Sequence, residues 1–172
     1  GLFLHTSWRS AGTWVWSRFR ELPQVEGFYE PFHSVLARDK ATLGAIHADS
    51  WASGHPALER PYFHEYLPLV RSRKFFPPRK GVKGFKVGFE LDRFGPEPWP
   101  GARSLKAYLD RLLKTARKSR RIGVFKFCRA MGRLNWLMDT CPQVEHVVVL
   151  RSPASQWSSY WGQWKKYGNP WV

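Results

Sequence analysis

The sequence predicts an α/β fold of three layers, in which helices cover both faces of a central parallel sheet. The first observation is that short apolar segments alternate with segments of helical periodicity, the order typical of βαβ units. The second is that 43% of the 172 residues are hydrophobic, which is sufficient for one packed core. We therefore expect residues 1–172 to form a single domain.

Two strands and two helices are expected in the first part of the chain. Residues 2–5 and 25–29 are short apolar runs that fit strands. Residues 13–22 fit a helix, because apolar side chains recur at helical spacing before Pro23. Residues 33–48 are expected to form a second helix. The second strand should lie beside the first, so that their carboxyl ends share one edge of the sheet.

The middle of the chain, residues 49–101, is rich in Pro, Gly, His and aromatic residues. Because Pro and Gly interrupt regular elements, we expect an irregular insertion here that faces the substrate. Residues 84–89 are the part of this insertion that could form a strand.

The remaining part of the chain returns to the alternating pattern. Ser104 precedes a strongly amphipathic stretch and is expected to cap its helix. A proline is expected in the first turn of the last helix. The elements expected here are helices at 104–116, 134–140 and 153–167, a strand at 122–127 and a buried strand at 147–150.

The chain is strongly basic, with 28 Lys and Arg against 13 Asp and Glu and a net charge of +15. An anionic ligand or partner is therefore expected. Much of the charge lies in two segments, residues 71–86 and 114–121. These segments would suit an acidic glycan, although a solvated basic face is the commoner explanation.

The cysteines and the hydropathy of the chain indicate its cellular location and whether it holds a metal or a membrane span. Cys128 and Cys141 give neither a disulfide framework nor a Cys-x-x-Cys metal spacing. No apolar run approaches the length of a membrane span. We therefore expect a cytoplasmic protein without a metal or a membrane span, while the oligomeric state is left open.

Two segments have the pattern of anion-binding loops. After the first strand, small residues and one arginine lead into a helix, whose N–H groups and dipole favour an anion. After the last strand an arginine is again followed by a helix, which carries a serine eight residues later. The residues concerned are Arg9, Ser10, Ala11, Gly12, Thr13 and Trp14 in the first loop, and Arg151 with Ser159 in the second. Because both loops end strands of one sheet, a ligand with two phosphate groups is expected.

Together these motifs resemble the sulfotransferase family, whose donor is 3′-phosphoadenosine 5′-phosphosulfate. Arg9 to Trp14 is similar to the family's 5′-phosphosulfate loop, and Leu150 to Pro153 with Ser159 is similar to its 3′-phosphate element. Lys126 and Arg129 resemble a lysine–arginine strand of carbohydrate-type members. The resemblance implies a P-loop-like fold and transfer of a sulfuryl group to a hydroxyl or amine, with a carbohydrate as one candidate acceptor.

Three departures from the family pattern accompany the resemblance. Arg9 stands where lysine is usual, and it can stabilise charge but cannot donate a proton. Ser152 replaces the usual aspartate. The glycine- and lysine-containing loop that normally covers the nucleotide is not found. With the abrupt start at Gly1, this loop's absence predicts a truncated chain that lacks the C-terminal part of the fold.

The acceptor needs a base, and two residues are candidates. Glu30 follows the second strand directly, at the edge where the phosphate loop lies, and the resemblance places a glutamate near this point. His33 is the alternative, since its ordinary pKa suits proton transfer. The sequence gives Glu30 as the first choice and leaves the exchange of roles open.

Two other functions fit parts of the pattern. A P-loop-like phosphotransferase would need the Gly-Lys-Ser/Thr ending of a Walker A loop, and the first loop lacks it. A binder of polyanions or nucleic acid would explain the charge and the ten tryptophans. That function does not explain two arginine loops at strand ends, so no nucleic acid partner is expected.

Overall fold

A four-stranded, fully parallel sheet forms the centre of the computed structural model, which describes residues 1–48, 55–71, 80–91 and 101–168. Its strand order is β2-β3-β1-β4, and every pairing is parallel. The strands are β1 (Leu2–Thr6), β2 (Val25–Tyr29), β3 (Ile122–Phe127) and β4 (Glu145–Val149). The predicted parallel α/β sheet is therefore confirmed, and all carboxyl ends meet at one edge.

Helices flank this sheet. Their bounds agree closely with the predicted ones at 13–22, 134–140 and 153–167. The helices are α1 (Gly12–Arg20), α2 (Lys40–Gly44), α3 (Ala102–Lys118), α4 (Leu134–Thr140) and α5 (Pro153–Tyr167). Short 3₁₀ turns occur at Ser34–Ala37, His64–Leu69, Val87–Phe89 and Met131–Arg133.

The position of β2 differs from the expectation. It pairs with β3, so β3 lies between β2 and β1. Strand β4 is an edge strand and is not buried, since Val147 is 45% and Val148 38% exposed. Consecutive strands are neighbours in most sheets but not in all, so chain order alone does not fix the order of strands in the sheet. The pairing of β1 with β4 does place the two arginine loops on neighbouring strands.

Three predicted elements are corrected. Residues 33–48 form a 3₁₀ turn and the short helix α2, because the Asp39 side chain accepts the Thr42 N–H and starts a new helix. Residues 84–89 contain a 3₁₀ turn and no strand. Helix α3 begins two residues before Ser104, whose hydroxyl donates to the Gly101 carbonyl at 2.9 Å.

The described parts of the irregular segment pack on the core. Tyr62, Phe63 and Tyr66 are fully buried beside Trp16 or Tyr29. A buried ion pair of 2.8 Å between Arg20 and Glu65 joins the segment to helix α1. This packing places His55, which belongs to the segment, at the carboxyl edge of the sheet.

Candidate functional site

A cavity of about 330 Å³ lies at the carboxyl edge of the sheet. Every residue that the sequence analysis assigned to the site lines it. From the first loop these are Arg9, Ser10, Ala11, Gly12, Thr13 and Trp14, from the end of β2 they are Glu30 and His33, and from the second loop Arg151 and Ser159. The fold thus brings together residues that are up to 150 positions apart.

The loop between β1 and α1 has an unusual backbone. Arg9 and Ala11 have positive φ angles of 58° and 64°, a region that favours glycine. The buried Ser10 hydroxyl donates to the Ser7 carbonyl at 2.7 Å, so it shapes the loop and can only accept from a ligand. A Cβ on Gly12 would lie 2.3 Å from Thr6, which explains the glycine. Strained backbone of this kind is typical of functional loops.

Direct contacts join the two arginine loops. The Nε and Nη2 atoms of Arg9 donate to the Ser159 hydroxyl at 3.2 and 3.1 Å. Nη1 of Arg151 donates to the Arg9 carbonyl at 3.1 Å. Gln156 of α5 donates to the Trp8 carbonyl at 2.9 Å. Helix α5 therefore holds the first loop, and both arginines reach the same cavity.

Glu30 is buried and held by three groups at the end of β3. Its carboxylate forms an ion pair with Lys126, accepts the Cys128 N–H at 3.2 Å and contacts Arg129 at 3.4 Å. Burial would raise the pKa of Glu30, but the charges of Lys126 and Arg129 outweigh it and lower the pKa to about 2. Glu30 is therefore ionised at neutral pH and is a weak proton acceptor in this state.

The ring of His33 has a fixed tautomer. Its Nδ1 accepts the Val35 N–H at 3.1 Å, so the neutral ring carries its proton on Nε2. Burial, together with the charge of Arg129, lowers the pKa of His33 and favours that neutral form. The geometry makes His33 a hydrogen-bond donor at Nε2 rather than a base.

The sequence analysis did not assign Tyr29 or His55 to the site, although both line the cavity. The Tyr29 hydroxyl lies 3.1 Å from Nε2 of His55, and it also bonds the side chain of Thr13. Burial and the charges of Lys126 and Arg9 lower the pKa of His55 to about 4. Tyr29 could have been predicted as a cavity residue, because it directly precedes Glu30 in the sequence. His55 lies in the irregular segment, where the sequence contains no indication of its position.

Tryptophans form part of the rim. Trp8 is 46% and Trp14 57% exposed, although aromatic side chains of this size are usually buried. The guanidinium of Arg129 lies 5.1 Å from the Trp8 ring. Both indoles line the cavity, so flat surfaces are available to a ring-bearing ligand.

The charges around the cavity favour an anion. Among the described lining residues, Arg9, Lys126, Arg129 and Arg151 oppose the one carboxylate of Glu30. The described residues hold no cluster of three or more His, Cys, Asp or Glu suited to a metal ion.

Comparisons with protein-family models, with curated proteins and with solved structures gave no match. No helix in the described ranges is long and apolar enough to cross a bilayer. The structure of the site is therefore the basis for the functional proposal.

Proposed function

We propose that this domain is a sulfotransferase that moves a sulfuryl group from 3′-phosphoadenosine 5′-phosphosulfate to an acceptor hydroxyl or amine. The observation that carries the proposal is the meeting of the two arginine loops through Arg9, Ser159 and Arg151 in one cationic cavity. One phosphate-binding loop would suit many anions, whereas two joined loops suit a nucleotide phosphorylated at both ends. The sulfotransferase-like fold is part of this proposal.

The donor would occupy both loops. The N-terminus of α1 and the Arg9 guanidinium would hold the 5′-phosphosulfate, since helix N–H groups and a permanent cation favour that charge. Arg151 and Ser159 would hold the 3′-phosphate through charge-assisted hydrogen bonds. The fixed loop backbone presents these groups before the ligand arrives, which limits the entropy lost on binding.

The transfer itself would rest on electrostatic stabilisation. The acceptor oxygen or nitrogen forms a bond to sulfur while the bond from sulfur to the 5′-phosphate oxygen breaks, and the electron pair stays on the phosphate. Arg9 stabilises this charge without giving up a proton. Lys126 is paired with Glu30 and lines the same cavity, so it would add positive charge on the side of the transferred group.

Glu30 would accept the proton of the acceptor. The charges of Lys126 and Arg129 lower its pKa to about 2. The several negative charges of a bound donor would offset these cations and would raise the pKa of the carboxylate. His33 would position the acceptor by donating from Nε2. Glu30 would thus become a stronger base when the donor is bound.

A transfer assay tests the proposal. The protein is incubated with donor labelled with ³⁵S and with a set of sugar, phenol and amine acceptors, and labelled product is separated from donor. Label in a product that requires both protein and acceptor is the expected result. The matched control is Arg9→Ala, which changes a loop residue outside the strands and should abolish labelling. Equal labelling by this variant would refute the assignment of the first loop.

A further inference from the structure

A second basic region lies outside the cavity, at the end of α3 and before β3. We name it the α3 basic end. All its cations are exposed, and within the described part of the chain none of them forms an ion pair. Its residues are Lys114, Arg117, Lys118, Arg120 and Arg121.

The helical part of this region has one charged face. Lys114, Arg117 and Lys118 are spaced three and four residues apart, so they are neighbours on the helix surface and repel each other. They line a shallow cavity of about 510 Å³ together with Leu113 and Gln143. The acid at this cavity, Asp110, already pairs with Lys106 at 2.7 Å and cannot neutralise three cations.

The backbone at Arg120 has the left-handed conformation of a helix end. Arg120 has a φ of 54° directly after the helix end, and the Arg121 N–H bonds the Ala116 carbonyl at 3.0 Å. Glycine is strongly preferred at this position of such a helix end. Cations in the last turn stabilise a helix by interacting with its dipole, but this effect falls off within one turn. It does not require an arginine with a left-handed backbone.

The α3 basic end is separate from the donor site. Helix α3 runs into β3, so its carboxyl end lies at the amino edge of the parallel sheet. The donor cavity lies at the opposite edge. With strands of five or six residues and about 3.3 Å per residue, the two sites are roughly 20 Å apart. A nucleotide in the cavity cannot use these cations.

We propose that the α3 basic end binds an acidic polysaccharide and holds it on the protein at a distance from the donor cavity. The choice of a polysaccharide rests on the proposed function, in which a carbohydrate is a candidate acceptor. Single-stranded nucleic acid is less suited, because it needs aromatic platforms beside the charges. The exposed aromatics of the described residues lie on the first loop and on α5, and the exposed apolar neighbour of the patch is Ile122.

The test is binding of a heparin dodecasaccharide, used as the probe, without any donor. The patch variant carries Lys114→Gln, Arg117→Gln and Lys118→Gln, which preserve helix propensity. Its control carries Arg38→Gln, Lys40→Gln and Lys83→Gln, three exposed cations of the same types elsewhere. Calorimetry at several salt concentrations gives affinity and its salt dependence, and circular dichroism confirms folding.

At least a tenfold loss of heparin affinity is expected for the patch variant and less than a threefold loss for the control. The slope of log affinity against log salt should fall by roughly two to three for the patch variant. Equal losses in the two variants would overturn the proposal, because net charge alone would then explain binding. Tighter binding of a 20-base-pair DNA duplex by the same patch would also overturn it.

Arg120→Gly separates charge from folding. Glycine relieves the left-handed backbone, so this variant should be more heat-stable and yet bind heparin two- to fivefold more weakly. Unchanged heparin affinity would contradict a role for Arg120. Binding of 3′-phosphoadenosine 5′-phosphate is measured on the same variants and should stay constant, so loss of this site and failure of the donor assignment give different results.

Discussion

Glu30→Gln should destabilise the fold as well as impair transfer. The change keeps the size of the side chain and removes its charge, which leaves Lys126 buried at 6% side-chain exposure without a counter-ion. Removing one partner of a buried ion pair typically costs about 3–5 kcal/mol. Arg129 is less affected, because it also contacts Glu90 at 3.8 Å and is 19% exposed. We therefore expect Glu30→Gln to lower the free energy of unfolding by about 3 kcal/mol, the lower end of this range.

Two companion variants separate stability from chemistry. In Glu30→Gln combined with Lys126→Met, no buried charge is left unpaired, so most of the lost stability should return while transfer stays impaired. Glu65→Gln is the matched control, because Glu65 forms a buried ion pair with Arg20 and does not line the cavity. It should lower stability similarly, and it should reduce transfer per folded molecule much less than Glu30→Gln, because it acts on the cavity only through the segment that carries His55.

Urea unfolding followed by circular dichroism measures these differences, and the ³⁵S assay measures transfer at a temperature where every variant is folded. The reasoning is refuted if Glu30→Gln unfolds at the same urea concentration as the unmodified protein. The role of Glu30 in transfer is refuted if the folded double variant transfers sulfuryl groups at the rate of the unmodified protein.

Three further outcomes are expected. Gly12→Ala should destabilise the fold by about 1–3 kcal/mol, because the new Cβ would lie 2.3 Å from Thr6. Gly162→Ala, in the middle of α5 with open space around it, should stabilise the fold by about 0.5–1 kcal/mol. The urea concentration at the unfolding midpoint should fall for the first variant and rise for the second. Arg9→Lys should keep substantial transfer activity and Arg9→Ala should lose it, with kcat falling more than donor affinity. Burial, and after it the charge of His146, lowers the pKa of His5 to about 4. The free energy of unfolding should therefore fall as the pH drops from 6.5 to 4. The variant His5→Gln should make that free energy less dependent on pH over the same range.

The first loop could be placed from the sequence because its determinants are local. An apolar strand, small residues, an arginine and a helix start follow one another within Leu2 to Trp14. Carboxyl ends of parallel strands share an edge, so the same argument places Arg151 and Glu30 at the cavity. The left-handed φ of Ala11 could not be read from the sequence, since alanine does not indicate it.

Features that depend on distant contacts were not predictable. Whether β3 or β1 neighbours β2 is decided by packing across the sheet, and the sequence favoured the wrong neighbour. The wall formed by His55 depends on the buried Arg20–Glu65 pair, whose members are 45 residues apart. The ion pair of Glu30 with Lys126 likewise joins two strands, so the strong lowering of the Glu30 pKa had no local signal.

Calorimetric titration with 3′-phosphoadenosine 5′-phosphate and with adenosine 5′-phosphate tests the central claim most directly. The claim is that Arg151 and Ser159 hold a second phosphate beside the one held by the first loop. The bisphosphate should bind more tightly by about 1.5–3 kcal/mol, the usual contribution of hydrogen bonds to a charged group, and Arg151→Ala should remove most of that difference. Equal affinities for the two nucleotides, or an unchanged difference in Arg151→Ala, would contradict the account.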